Sequence, residues 1–278
     1  MFEQITPVLL TYNEEPNISR TLQRLTWAND IVLVDSFSDD HTVQIASDFP
    51  QVRVFQRPFD RHRDQWSFAL AETEIKTPWV LALDADYILT DEFLSEVERL
   101  RPPKNVNGYT ANFIYCINGR RLRSGIYPPV TVLYRRDAGC YEQDGHTHRV
   151  RVHGPIRSLQ ARILHDDRKS LTSWFNAQAR YSQLEAQKLL TTARQNLSWP
   201  DRLRKLFFVA PAVMLVYCLF IRGGLLDGFA GLQYALERTV AELMLSLRLI
   251  QHRLGKAPPK NVECLPAESA ADLSTQNL

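Results

Sequence analysis

Trp79-Val80-Leu81-Ala82-Leu83-Asp84-Ala85-Asp86 is an apolar run that ends in two carboxylates one residue apart. An unbroken apolar run bounded by polar residues predicts a strand buried on both faces, since a strand with one solvated face would alternate. Where such a strand leaves its sheet, paired carboxylates are suited to hold a hard divalent cation against a diphosphate. Asp-x-Asp is also a common strand exit with no ligand, so its meaning depends on what else leaves the same sheet.

Upstream, Thr6-Pro7-Val8-Leu9-Leu10-Thr11-Tyr12 reads as another buried strand that runs into Asn13-Glu14-Glu15-Pro16, a helix start with proline near the first turn. Ile31-Val32-Leu33-Val34 ends in Asp35-Ser36-Phe37-Ser38-Asp39-Asp40-His41-Thr42, a second acidic and hydroxyl-rich exit. Val52-Arg53-Val54-Phe55 is a third short strand, and Trp79 to Leu83 the fourth. Strands alternating with helical patterns predict βαβ units in a parallel sheet, whose ligands bind beyond the carboxyl ends of the strands. The polar exits are therefore expected to face one crevice.

Thr11-Tyr12-Asn13-Glu14, Val34-Asp35-Ser36-Phe37-Ser38-Asp39-Asp40-His41-Thr42 and Leu83-Asp84-Ala85-Asp86 together resemble the successive nucleotide-sugar motifs of family 2 glycosyltransferases. Ser124-Gly125-Ile126-Tyr127-Pro128, Leu164-His165-Asp166 and Arg222-Gly223-Gly224-Leu225-Leu226-Asp227-Gly228 resemble the bacterial branch that builds lipopolysaccharide core and related envelope glycans. The resemblance covers about residues 4–252. It implies a GT-A fold: an α/β, Rossmann-like, mixed and mainly parallel sheet flanked by helices. It also implies a transferase that takes a nucleotide sugar, a UDP-sugar first of all, and delivers the sugar to a lipid-linked or envelope glycan with inversion. A polyprenyl-phosphate sugar transferase and a noncatalytic nucleotide-sugar-binding scaffold are the alternatives.

The chemistry assigns roles. Negative charge grows on the diphosphate as it leaves, and Mg²⁺ or Mn²⁺ held by oxygen ligands would stabilise it. Asp86 is the first expected metal ligand, Asp84 serves the ribose or the metal through water, and His165 approaches the metal or diphosphate, as the resemblance implies. Thr11, Tyr12, Asn13, Glu14, Asp35 and Ser38 are assigned to the nucleotide, with Asp35 accepting from a uracil-like base. At Gly145-His146-Thr147-His148 the chain departs from its relatives, which carry glutamate at the position of Thr147. A threonine hydroxyl is far too weakly basic to take the acceptor's proton, so Asp144 is the expected replacement base, with Glu142 and His146 behind it. Arg57, Arg61 and Arg63 are available to phosphate or acceptor charge, or form a solvated basic loop.

Composition fits a folded enzyme: 278 residues, 45% hydrophobic and 23% charged. A net charge of +2 gives no reason to expect a nucleic-acid partner. Cys116, Cys140, Cys218 and Cys264 show no C-x-x-C spacing and no signal peptide opens the chain, so reduced thiols are expected. Residues 1–170 read as the GT-A domain, with a nucleotide half over 1–100 and an acceptor half over 101–170. Residues 171–254 read as helical and 255–278 as a disordered tail. Within the helical part, 206–221 is almost continuously apolar but short for a span and interrupted by Pro211. Arg202, Arg204, Lys205 and Arg222 flank it, which predicts an interfacial element on the cytoplasmic face of the inner or plasma membrane, peripheral or monotopic.

Overall fold

The computed structural model describes residues 1–144 and 147–255, with the backbone alone over 142–144 and 147–149. Strands β1 (Ile5–Thr11), β2 (Ile31–Asp35), β3 (Val52–Gln56) and β4 (Trp79–Asp84) form the first half of the sheet, in the order β3-β2-β1-β4 and all parallel. Helices α1 (Ile18–Gln23), α2 (Thr42–Ser47) and α3 (His62–Ala71) connect them. The cores of β1, β2 and β4 are buried without alternation, because one apolar cluster lies on each face of the sheet. That double cover is why these strands are legible as continuous apolar runs.

The second half is mixed. After β5 (Tyr87–Leu89) and α4 (Asp91–Arg99) come β6 (Gly108–Ile117), β7 (Arg120–Arg121), β8 (Val130–Arg135), β9 (Gly139–Asp144), β10 (Thr147–Val152) and β11 (Ile156–His165). The sheet continues from β4 through β8, β6 and β11 to β5. Here β8 is antiparallel to β4 and β6, and β11 is parallel to β6 and antiparallel to β5. Strands β9 and β10 form a separate hairpin held over α3, where Tyr141 stacks on Trp66 at 4.8 Å and its hydroxyl lies 2.9 Å from that of Tyr134.

Helices α5 (Leu171–Thr191), α6 (Trp199–Arg204), α7 (Val209–Val216) and α8 (Gly228–Arg253) follow. Ser170 and Ser198 cap α5 and α6 by accepting from Ser173 N–H and Asp201 N–H. The apolar run at 206–221 is not one helix: Leu206 to Phe208 turn, α7 follows, and Tyr217–Ile221 widens into a π-helical turn. No single described helix is long and apolar enough to cross a membrane; Val209–Ile221 and Gly224–Arg253 pass that test only as a pair, bent by 65°. Arg204, expected to face headgroups, instead lies between α5, α6 and α8, where its guanidinium meets Glu242 at 2.8 Å, Asp201 at 3.2 Å and Glu185 at 3.4 Å. Three partly buried carboxylates need that cation, so it is not free for lipid. Arg202 donates to the carbonyls of Leu197 and Gln195. The expected tail, apart from Gly255, lies outside the described residues.

Candidate active site

The parallel register puts Thr11 beside Asp35 and Leu10 beside Asp84, so the polar exits of β1, β2 and β4 emerge side by side. Asp35 is fully buried and organises the first two exits. One carboxylate oxygen accepts from Thr11 Oγ1 at 2.9 Å and Ser38 Oγ at 2.5 Å, and the other accepts from Ser38 N–H at 2.8 Å. Asn13 N–H donates to Ser38 Oγ at 2.9 Å, and Asp39 N–H donates to Asn13 Oδ1 at 3.0 Å. Asn13 and Phe37 both take positive φ, 52° and 59°. Asparagine tolerates that conformation, but for phenylalanine it is an outlier of the sort that the surrounding structure must hold in place. The result is two stiff loops that leave the rings of Tyr12 and Phe37 exposed.

Asp86 and His165 meet at the third exit. His165, the last residue of β11, pairs with Tyr87 in register, and Asp166 N–H donates to the Asp86 carbonyl at 3.0 Å. His165 Nε2 lies 3.4 Å from Asp86 Oδ2, with the two side chains 14% and 16% exposed. Asp86 Oδ1 and His165 Nδ1 are buried with no hydrogen-bond partner. Burial, then the neighbouring charges of Asp84 and Asp167, push the Asp86 carboxyl well above its usual range. Burial lowers the His165 imidazole, favouring the neutral form that binds metals. Orphaned polar atoms, crowded carboxylates and a neutral imidazole fit a divalent cation, which would repay all three costs. Among the described residues no three such side chains close a cage by themselves. Mg²⁺ and Mn²⁺ sites that use substrate phosphate need only one or two protein ligands.

The segment Asp166–Lys169 brings to the candidate site charged side chains that sequence reasoning left without a role. Lys169 reaches Glu14 Oε1 at 2.5 Å, although 155 residues separate them. Asn17, fully buried, donates to Glu14 Oε2 at 2.9 Å and Asp167 Oδ1 at 2.8 Å, while its own oxygen accepts from Arg20 and Arg168 N–H. Arg20 then binds Asp166 Oδ2 at 2.8 Å, and Arg168 approaches the same oxygen. Glu14 titrates near 7, raised by burial against the opposing pull of Lys169. A positive side chain thus lies among Glu14, Asp86 and Asp167. The run His165-Asp166-Asp167-Arg168-Lys169 was visible as alternating charge after a strand, but nothing in it named Glu14 as the partner.

The rings of Tyr87, Tyr115 and Tyr127 pack around His165, with Phe113 against Tyr87 and Tyr127; those of Tyr115 and Tyr127 lie 4.7 Å from His165, and Tyr127 shares a 2.6 Å hydrogen bond with Tyr87. The Asp144 backbone pairs with Thr147 at the end of the β9–β10 hairpin, but the Asp144 side chain and all of His146 lie outside the described residues. Of the basic loop, Arg57 is held by Asp60 at 2.7 Å and Arg63 by Asp64 at 2.9 Å.

A parallel half-sheet with hydroxyl and carboxylate exits and a mixed second half define an α/β fold of the GT-A type. The glycosyl transferase family 2 model matches residues 7–143. An uncharacterized glycosyltransferase of Rickettsia bellii is 26% identical over 99% of this chain and 92% of its own length. The lipopolysaccharide core biosynthesis glycosyltransferase LpsC of Rhizobium meliloti is 24% identical over 92% of this chain and 95% of its own. Among solved structures, a mannosyltransferase of Pyrobaculum calidifontis in complex with GDP-Man and Mn²⁺ shares the fold, with a TM-score of 0.50 and 15% identity over 91% of this chain and 88% of that one. Residues 7–143 are thus a family 2 glycosyl transferase domain, and the protein is a glycosyltransferase.

Proposed function

We propose that the protein transfers a sugar from a UDP-sugar to a hydroxyl of a lipid-linked or envelope glycan, with inversion, in a divalent-metal-dependent reaction at the cytoplasmic face of the membrane. The observation that carries the reading is the Asp86–His165 pair, with buried oxygen and nitrogen atoms that lack partners at the end of β4. The fold of the GDP-Man- and Mn²⁺-bound mannosyltransferase and the full-length likeness to a lipopolysaccharide core enzyme agree with it.

Asp86 and His165 would hold Mg²⁺ or Mn²⁺, with Asp84 turned to the ribose or to metal-bound water; the cation would supply Lewis-acid stabilisation of the departing diphosphate. The protein's own groups do the rest. Thr11, Asn13, Asp35 and Ser38 hold the first two loops so that Tyr12 and Phe37 can wall the base. Lys169 offsets part of the negative charge that the diphosphate brings. The acceptor enters from the Tyr115–Tyr127 side, where a base near the end of the β9–β10 hairpin takes its proton, and Asp144 is the assignment we favour. One displacement is sufficient, so no sugar is carried covalently by the enzyme.

Purified protein given a panel of UDP- and GDP-sugars, Mn²⁺ and membrane lipid extract should label a lipid-linked glycan from a UDP donor, and EDTA should stop it. Phosphate-linked product would identify a polyprenyl-phosphate enzyme. Turnover unchanged in excess EDTA would remove the metal from the mechanism.

A further inference from the structure

Between the π-helical turn after α7 and the first turn of α8, the chain presents Phe220, Ile221, Leu225, Leu226 and Phe229 to solvent; Ile221, Leu226 and Phe229 are 70%, 76% and 86% exposed. This is not a frayed end. Gly231 of α8 comes so close to the turn that a Cβ there would lie 2.0 Å from the Gly224 carbonyl oxygen, and Cys218, Ala230 and Tyr234 are buried directly beneath. A well-packed turn that displays five large apolar side chains is a contact surface.

Its rim is basic. Arg222 lies within the turn, and Arg120, Arg121 and Arg123 are exposed on and just after β7. Leu122 lies between these arginines and is buried with Cys218, Ala230 and Tyr234, so the basic strand is packed against the helical pair. Asp227 is the one acidic residue in 217–229, and it accepts from Ser124 N–H at 2.9 Å and Ser124 Oγ at 2.7 Å.

We propose that this composite face, the apolar turn of residues 220–229 with its Arg120–Arg123 and Arg222 rim, seats the protein on a bilayer that carries anionic headgroups. The inference rests on the preceding reading in one respect, the membrane-borne acceptor. Apolar side chains inserted at headgroup depth with arginines around them is the pattern of an in-plane, monotopic contact. A helix pair bent by 65° fits that arrangement. A second copy is the poorer occupant, because a two-fold interface would set the same arginines against one another.

The face is wired to the candidate active site. Asp227 holds Ser124, Arg222 donates to the Gly125 carbonyl at 3.0 Å, and Ile126 N–H donates to Tyr234 Oη at 2.8 Å. The next residue is Tyr127, whose ring lies against His165. Seating the turn therefore fixes the acceptor-side wall relative to the membrane plane.

The test is cosedimentation of the full-length chain with phosphatidylcholine vesicles, with and without phosphatidylglycerol. We expect binding that requires phosphatidylglycerol and weakens with salt. Leu226→Ser with Phe229→Ser should weaken it on the order of 100-fold, and Arg120→Glu with Arg121→Glu by at least about tenfold. Neither pair should alter the thermal stabilisation by Mn²⁺ and UDP measured without vesicles. No binding to anionic vesicles, equal binding to neutral ones, or a solution dimer dissolved by Leu226→Ser with Phe229→Ser would overturn the proposal. Intact nucleotide binding without vesicle binding refutes this inference alone, whereas vesicle binding without nucleotide binding refutes the transferase reading alone.

Discussion

Asp86→Asn separates two demands on one carboxylate. In the ligand-free protein this side chain is buried beside Asp84 and Asp167, and its Oδ1 has no partner. A buried charge without a partner costs at least about 1–3 kcal/mol, so the uncharged amide should make the free protein more stable by a similar amount wherever pH is high enough to ionise the wild-type carboxyl. The folded-state pKa lies above the unfolded one, so the folded carboxylate binds its proton more tightly. The cost is therefore absent in acid, grows as pH rises through the folded value, and the advantage of asparagine must fade as pH falls. Ligand reverses the order. Mn²⁺ and UDP at a hundred times Kd should stabilise the wild type by about 2.7 kcal/mol. The variant, short of a charged ligand, should retain well under half of that, and kcat/KM should fall by roughly 10³-fold. Urea denaturation across a pH series that runs upward from the ordinary carboxyl range, with and without Mn²⁺–UDP, reads both effects. A variant less stable than wild type without ligand, or fully stabilised by Mn²⁺–UDP, refutes the reasoning.

Three further outcomes are expected. Asp35→Ala removes the acceptor for Thr11 Oγ1, Ser38 Oγ and Ser38 N–H, and should cost about 2–4 kcal/mol of stability while raising donor KM more than it lowers kcat; unchanged KM in a folded variant would confine Asp35 to scaffolding. Glu14 titrates near 7, above its ordinary value of 4.5, so wild-type stability should decline between those two values as pH rises and then level off. Glu14→Gln should flatten that decline, by about 1–3 kcal/mol in urea titrations, and an unaltered pH profile would count against the burial effect. Asp144→Asn should lower kcat at least ~100-fold with donor affinity nearly unchanged, and Thr147→Glu should restore part of the rate; near-normal kcat in Asp144→Asn with a dead His146→Ala transfers the role to His146.

Residues that act through their own strand were legible before any coordinates. The runs at Ile31, Val52 and Trp79 begin β2, β3 and β4 where the apolar pattern begins, and Leu171 begins α5, because burial on both sheet faces and helical spacing are written locally. The same locality made Thr11, Asp35 and Asp84 readable as neighbours, since parallel strands deliver their ends to one edge. The run at 206–221 was legible as apolar and as broken, with Pro211 the expected place; α7 instead runs through Pro211 and the break follows at Tyr217–Ile221, because its position depends on what the turn packs against.

What the sequence determined by itself was therefore the family, the nucleotide half of the sheet and the order of its acidic exits. Only the tertiary structure decided which charges are spent on one another. Lys169 meets Glu14, Arg20 meets Asp166, and Arg204 goes to Glu242 rather than to lipid. It also decided that Asp35 is enclosed by its own loop and that Asp86 keeps an unpaired oxygen beside His165. The physical reason is range: hydrophobic periodicity records burial within a few residues, whereas a charge finds its partner through topology, across any distance along the chain that folding closes.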